Sequence, residues 1–165
     1  MMTKLCCEVL QKLQGKTLVT AESLTGGGIG AALTAVPGSS AVYKGGVISY
    51  TNEVKERVLQ VPSQVLEKHG AVSQWTAGYM AGGVRQLLQA DVAIAVTGLA
   101  GPGGDDVGNP VGTVYSAYED SKRAAVKQCV FTGSREEVRN QTIVEALKMI
   151  LDHQAMDIID QGRLG

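Results

Sequence analysis

A strongly apolar segment, DVAIAVTG at residues 91–98, does more than any other to limit what this chain can fold into. A strand with one wet face alternates polar and apolar residues, so a run this apolar belongs inside a sheet covered on both sides. Helices supply such cover, and helical spacing flanks the run. Ala77, Met80, Ala81, Val84, Leu87 and Leu88 recur at intervals of three or four before it, with Ser73 placed to cap their helix. Val138, Ile143, Leu147, Ile150 and Leu151 recur likewise after it, behind a capping box of Ser134 and Glu137. The alternation extends to the rest of the chain. Leu5, Val9, Leu10 and Leu13 predict a first helix, TLVTA at 17–21 a strand, the following small residues to about Val36 a second helix, and YKGGVISY at 43–50 another strand. Asn52 is placed to cap a short helix through about Gln60, and a further helical turn ends at Gly70. VGTVYSAYE and AAVKQCVFTG predict two adjacent antiparallel strands. The predicted fold class is α/β, a three-layer α/β/α sandwich with a mixed β-sheet, in a single domain over residues 1–165.

With 165 residues, 44% of them hydrophobic, the chain is long enough for one real core. Fifteen lysines and arginines balance 16 acids, and the charges are scattered, so no basic stripe invites nucleic acid. The N-terminal MMTKLCCEVLQKL alternates polar with apolar residues and has no export-type hydrophobic region. No run approaches the roughly 18 apolar residues of a membrane span. A cytoplasmic protein with no membrane association is expected. Cys6, Cys7 and Cys129 are odd in number and lack metal-site spacing, which predicts buried thiols. Asp105 and Asp106 have no spaced third ligand, so no metal is expected.

Two glycine-rich segments carry the chemical signal. In LVTAESLTGGGIGAAL, residues 18–33, a strand feeds glycines directly into a helix start, a nest of free N–H groups suited to a phosphate or a developing oxyanion. Gly26-x-Gly28-x-x-Ala31 also fits a degenerate dinucleotide fingerprint, but no acid ends a following strand about 20 residues on, as ribose recognition requires. GKT at 15–17 lacks the upstream glycine of a P-loop, Leu10 standing in its place. Close helix-on-sheet packing is the alternative account of the glycines, and it leaves Glu22, Ser23 and Thr25 unexplained. Ser23 stands at the strand-to-turn junction, where it is either a nucleophile or a helix cap. A nucleophile needs a base. His69 and His153 both sit towards helix ends, so a desolvated lysine is the better candidate. Lys55 follows the second strand closely enough to share one rim with Tyr50 and Asn52. The second segment, AVTGLAGPGG at 95–104, offers further backbone donors at the end of the most apolar strand.

TAESLTGG, PGSSAVYKGGVISYTNEVK, HGAVS, VTGLAGPGG, PVGTV and FTGSREEVR occur in this order, and together they resemble the CinA C-terminal domain family over about residues 5–152. Characterised members of that family are nicotinamide-mononucleotide deamidases. The resemblance implies hydrolysis of the carboxamide of nicotinamide mononucleotide, giving nicotinate mononucleotide and ammonia, with no cofactor. It places the nucleophile on Ser23, the catalytic tyrosine on Tyr50 and the catalytic lysine on Lys55. Candidate substrate-binding residues are Thr25, Gly26, Gly27, Ser39, Ser40, Thr97, Gly98, Gly101 and Arg135, with Thr97, Gly98 and Arg135 orienting the nucleotide. Leu24, where members often carry cysteine, is expected to point into the core. Some relatives bear a larger N-terminal domain, and this sequence reads as the stand-alone form. A homo-oligomer is implied, and strand runs near Val114 and Val130 are expected to be exposed for it. A nucleotide-binding module without turnover and a structural subunit serving a protein partner fit the same fold. Joint retention of Ser23, Tyr50 and Lys55 argues against both.

Overall fold

The computed structural model describes residues 1–164, with side chains described through Met156. Its elements are α1 (Met2–Lys12), β1 (Leu18–Glu22), α2 (Gly28–Thr34), β2 (Tyr43–Ile48), α3 (Asn52–Arg57), α4 (Ser63–His69), α5 (Gln74–Leu88), β3 (Val92–Gly98), β4 (Thr113–Glu119), β5 (Ala124–Val130) and α6 (Arg135–Leu164). The strands form one sheet in the order β2-β1-β3-β4-β5. β2, β1 and β3 run parallel, and β4 and β5 continue the sheet antiparallel. This is the expected mixed sheet between helical layers.

The two faces of the sheet differ in side-chain size. Leu18, Val92, Ile94 and Val96 pack with Val9, Ile29, Leu33, Leu147 and Ile150 of α1, α2 and α6, and with Leu13 at the end of α1. The alternate residues Ala21, Ala93 and Ala95 pack with Ala77, Met80, Ala81 and Val84 of α5. Alanines on both surfaces let α5 lie close to the sheet, and its glycines let the chain before α4 lie close to α5. A Cβ added at Gly83 would overlap the carbonyl oxygen of Leu59. Gly83→Ala is therefore expected to cost about 1–3 kcal/mol of stability, a fall in Tm of roughly 3–10 °C by thermal unfolding. An unchanged Tm would show that the Leu59 backbone yields freely.

Several local expectations need correction. The cap of α3 is Thr51, whose hydroxyl accepts from Val54 N–H at 3.3 Å, so the helix starts at Asn52 and ends at Arg57. Leu87 is exposed because the buried stripe of α5 passes from Val84 to Leu88, about 100° away around the helix. Val114 is buried because it belongs to the core packed under α6 with Val96 and Val138, whereas Val130 lies exposed on β5, the edge strand. Of the three free thiols Cys6 is buried, and Cys7 and Cys129 are only half-buried. Ser73 does cap α5, and Ser134 and Glu137 do exchange hydrogen bonds at the start of α6.

The chain leaves β1 through α2 on one face to reach β2, then returns through α3, α4 and α5, with α5 on the other face, to β3 on the far side of β1. That reversal opens a crevice between the carboxyl ends of β1 and β3, the usual ligand position in such sheets. Both glycine segments leave the sheet at this edge.

Candidate active site

Ser23 is the first residue past β1, and its N–H donates to the Val96 carbonyl at 3.1 Å, extending the ladder to β3. On the other side Ser49 N–H donates to the Glu22 carbonyl at 2.8 Å. The chain then turns at Thr51 into α3, whose first turn carries Lys55 inward. Lys55 is 1% exposed. Its Nζ donates to Ser23 Oγ at 3.1 Å and to the Ser49 carbonyl at 2.6 Å. Burial lowers its pKa from 10.5 to about 8, because an ammonium loses hydration that a neutral amine scarcely needs. An amine that can lose its proton near pH 8 is placed to accept the proton of the serine hydroxyl beside it.

The pair lies in a cleft of about 490 Å³, within the range of small-molecule sites. Tyr50, Val72, Thr97, Gly98, Gly101 and Arg135 are among its walls. Arg135, at the start of α6, spans the opening: its Nη1 donates to the Gly101 carbonyl at 2.7 Å and its Nη2 to Tyr50 Oη at 3.0 Å. Tyr50 is 57% exposed, and among the described residues its hydroxyl bonds Arg135 and not Ser23. Thr97 Oγ1 donates to the Ala71 carbonyl at 2.7 Å, and Asn109 Nδ2 to the Val72 carbonyl at 3.2 Å, tying the 70–73 wall to β3 and to the loop after it. Among the described residues, the basic side chains of Lys55 and Arg135 and no carboxylate line the cleft. A larger groove of about 1130 Å³ beside α5, bordered by Trp75, Tyr79, Arg85 and Glu119, contains no nucleophile beside a base.

The structure brings together Ser23, Tyr50, Lys55, Thr97, Gly98, Gly101 and Arg135, and leaves the other candidates outside the cleft walls. The N–H groups at the start of α2 are already taken. Glu22 folds back so that Oε1 accepts from Ile29 N–H at 2.7 Å and from Thr25 Oγ1 at 2.7 Å, while Oε2 accepts from Gly30 N–H at 3.1 Å. The protein's own carboxylate thus takes the donors of Ile29 and Gly30, with Thr25 bonded to it, while Gly26 N–H donates to the Ser23 carbonyl and neither Gly26 nor Gly27 is among the cleft walls. Packing explains the glycines here. A Cβ at Gly28 would meet Ile143 Cδ1 at 2.7 Å, and one at Gly30 would meet Tyr43 Oη at 2.6 Å. Gly27 has φ of 101°, which a side chain strains to adopt. Ser39 and Ser40 precede β2, and Leu18 N–H bonds the Val42 carbonyl at 2.9 Å, so both serines sit at the amino end of the parallel strands, opposite Ser23. Leu24 is buried in the core, as expected.

Glu22 was singled out in the sequence without a role, and two further contributors escaped that reading: the Ser49 carbonyl that accepts from Lys55, and Arg139. Arg139 follows Arg135 by four residues, one helical turn, and that spacing is the signal that was available for it. His69 stacks on Trp75 at 3.7 Å and His153 on Tyr118 at 4.5 Å, both away from the cleft. Among the described residues no group of three His, Cys, Asp or Glu side chains could hold a metal ion, and no helix is long and apolar enough to cross a membrane.

The CinA C-terminal domain family model matches residues 2–154. A CinA-like protein of Parasynechococcus marenigrum is 51% identical over 143 residues, which are 84% of this chain and 34% of that protein. A CinA-like protein of Citrifermentans bemidjiense is 47% identical over 139 residues, again 84% of this chain and 34% of that protein. The chain thus spans about a third of the length of these curated relatives. Among solved structures, a competence-damaged protein (CinA) superfamily protein from Klebsiella pneumoniae superposes with a TM-score of 0.92 at 37% identity, covering 94% of this chain and 99% of that one. One from Escherichia coli gives 0.90 at 35% identity, covering 92% and 89%. A family match across nearly the whole length, with the fold shared at this identity, leads to one conclusion: the chain belongs to the CinA C-terminal domain family.

Proposed function

We propose that the chain hydrolyses the carboxamide of nicotinamide mononucleotide to the carboxylate, releasing ammonia, with Ser23 as nucleophile and Lys55 as base. One observation carries the reading: Lys55 Nζ lies 3.1 Å from Ser23 Oγ in a cleft, with burial lowering the lysine pKa to about 8. In the first half-reaction Ser23 Oγ attacks the amide carbon and its proton passes to neutral Lys55. The C–O bond forms and the carbonyl oxygen takes the negative charge. The resulting Lys55 ammonium returns the proton to the amide nitrogen, the C–N bond breaks and ammonia leaves. In the second half-reaction water gives a proton to Lys55 and attacks the acyl carbon, and as the ester bond to Ser23 breaks the Lys55 ammonium returns that proton to Ser23 Oγ, freeing the acid and restoring the pair. Among the described residues the lining holds no carboxylate, which supports an anionic substrate, and the guanidinium of Arg135 at the mouth suits a phosphate group.

Ammonia release from nicotinamide mononucleotide by purified protein tests this reading, with thermal stabilisation by the nucleotide measured in parallel. Release that depends on Ser23 supports it. Stabilisation without ammonia would point to a binding module, and neither effect to a structural subunit. Because Tyr50 Oη is engaged with Arg135, Tyr50→Phe is expected to lower kcat by only about tenfold or less, the scale of one hydrogen bond. A loss equal to that of Lys55→Ala would instead make the phenol a proton relay.

A further inference from the structure

The turn that carries Ser23 is gripped from two sides by opposite charges. Glu22 holds its far end through Thr25, Ile29 and Gly30. From α6, Arg139 Nε donates to the Leu24 carbonyl at 3.0 Å and Nη2 to the Thr25 carbonyl at 3.2 Å. A charged donor holds a carbonyl more tightly than a neutral one, and the planar guanidinium fixes two carbonyls in one geometry. Each carbonyl shares a rigid peptide plane with the next N–H. Fixing Leu24 C=O fixes Thr25 N–H, and fixing Thr25 C=O fixes Gly26 N–H. Gly26 N–H in turn donates to the Ser23 carbonyl at 3.0 Å, which sets the plane containing the N–H of Leu24. Leu24 is buried and lines the cleft beside Ser23, yet its N–H makes no hydrogen bond among the described residues. Buried backbone donors are almost always paired. An unpaired one immediately after a nucleophilic serine stands where an acyl-transfer oxyanion is stabilised.

We infer that Arg139 is a positioning residue: by holding the carbonyls of Leu24 and Thr25 it fixes the Leu24 N–H as the donor to the oxyanion formed when Ser23 attacks. This rests on Ser23 being the nucleophile, as proposed above, but not on the identity of the substrate.

The test compares the parent protein with Arg139→Ala and Arg139→Lys in two reactions. One is deamidation of nicotinamide mononucleotide. The other is labelling of Ser23 by an alkyl fluorophosphonate, in which the Oγ–P bond forms, the P–F bond breaks, fluoride leaves and the serine proton passes to Lys55. The charge that develops on the phosphonyl oxygen needs the same donor. Arg139→Ala is expected to lower kcat and the labelling rate constant together by about 10- to 100-fold, up to the loss of one oxyanion donor. KM should stay within about threefold of the parent and the pH midpoint of the rate should not move. Arg139→Lys, able to hold one carbonyl, should fall between, and it is judged alone if Arg139→Ala does not fold. Rates within about twofold of the parent, a raised KM with unchanged kcat, or a moved pH midpoint would each overturn the inference. If the parent labels at Ser23 without releasing ammonia, the substrate reading fails while the labelling rates still decide the role of Arg139. A parent that does neither overturns both.

Discussion

Ser23→Ala is expected to lower deamidation at least about 10³-fold, the scale on which loss of a serine nucleophile removes covalent catalysis. Nucleotide binding should survive, because Ser23 contributes a small hydroxyl to a cleft whose charge comes from Lys55 and Arg135. Steady-state kinetics and thermal shift with the nucleotide, run on the same preparation, separate the two effects. Turnover within about tenfold of the parent would remove Ser23 from the chemistry.

Lys55 is expected to cost stability while it enables turnover. Lys55→Arg and Lys55→Ala should each lower kcat by about 10²–10⁴-fold, since arginine keeps the charge but cannot accept the proton. In the parent, kcat/KM should rise with pH through an apparent pKa near 8, because only the neutral amine can take the serine proton. The same shift has a consequence for folding. The folded pKa of about 8 lies below the ordinary 10.5, so the unfolded chain binds the proton more tightly. Below pH 8 the folded state carries the whole cost, about 3 kcal/mol from the size of the shift. Between pH 8 and 10.5 the cost declines as pH rises, and above that window it is gone. Lys55→Met keeps the length without the charge. At pH 7 it is expected to gain about 1–3 kcal/mol, part of that cost being offset by the lost hydrogen bonds to Ser49 and Ser23. Tm should rise by roughly 2–10 °C while activity disappears. A lower Tm for Lys55→Met, or near-parental turnover by Lys55→Arg, would contradict the assignment.

The layer order was readable because periodicity reports burial directly. DVAIAVTG is apolar without a break from Val92 to Val96 and lies in the middle of the sheet, flanked by β1 and β4. The capping residues at Ser73 and Ser134 are local, and both were legible. Lys55 was legible as a residue type but not as a buried one. In NEVKER its company along the chain is polar and exposed apart from half-buried Val54, and its burial comes from the placement of α3 over the carboxyl edge of a sheet whose strands are distant in sequence. The glycines misled for a related reason. GGG before a helix advertises free N–H groups, but a carboxylate six residues before Gly28 folds back onto them, a tertiary event with no spacing signature. Ser39 and Ser40 were joined to the site by motif order alone, and strand direction separates them from it.

Acid-quenched mass spectrometry of the protein during turnover of nicotinamide mononucleotide tests the Ser23–Lys55 chemistry most directly. The account predicts a nicotinoyl-mononucleotide ester on the peptide containing Ser23, formed at a rate that rises with pH through about 8 and absent from Ser23→Ala. Ammonia release at full rate by Ser23→Ala, or an ester on any other residue, would contradict it.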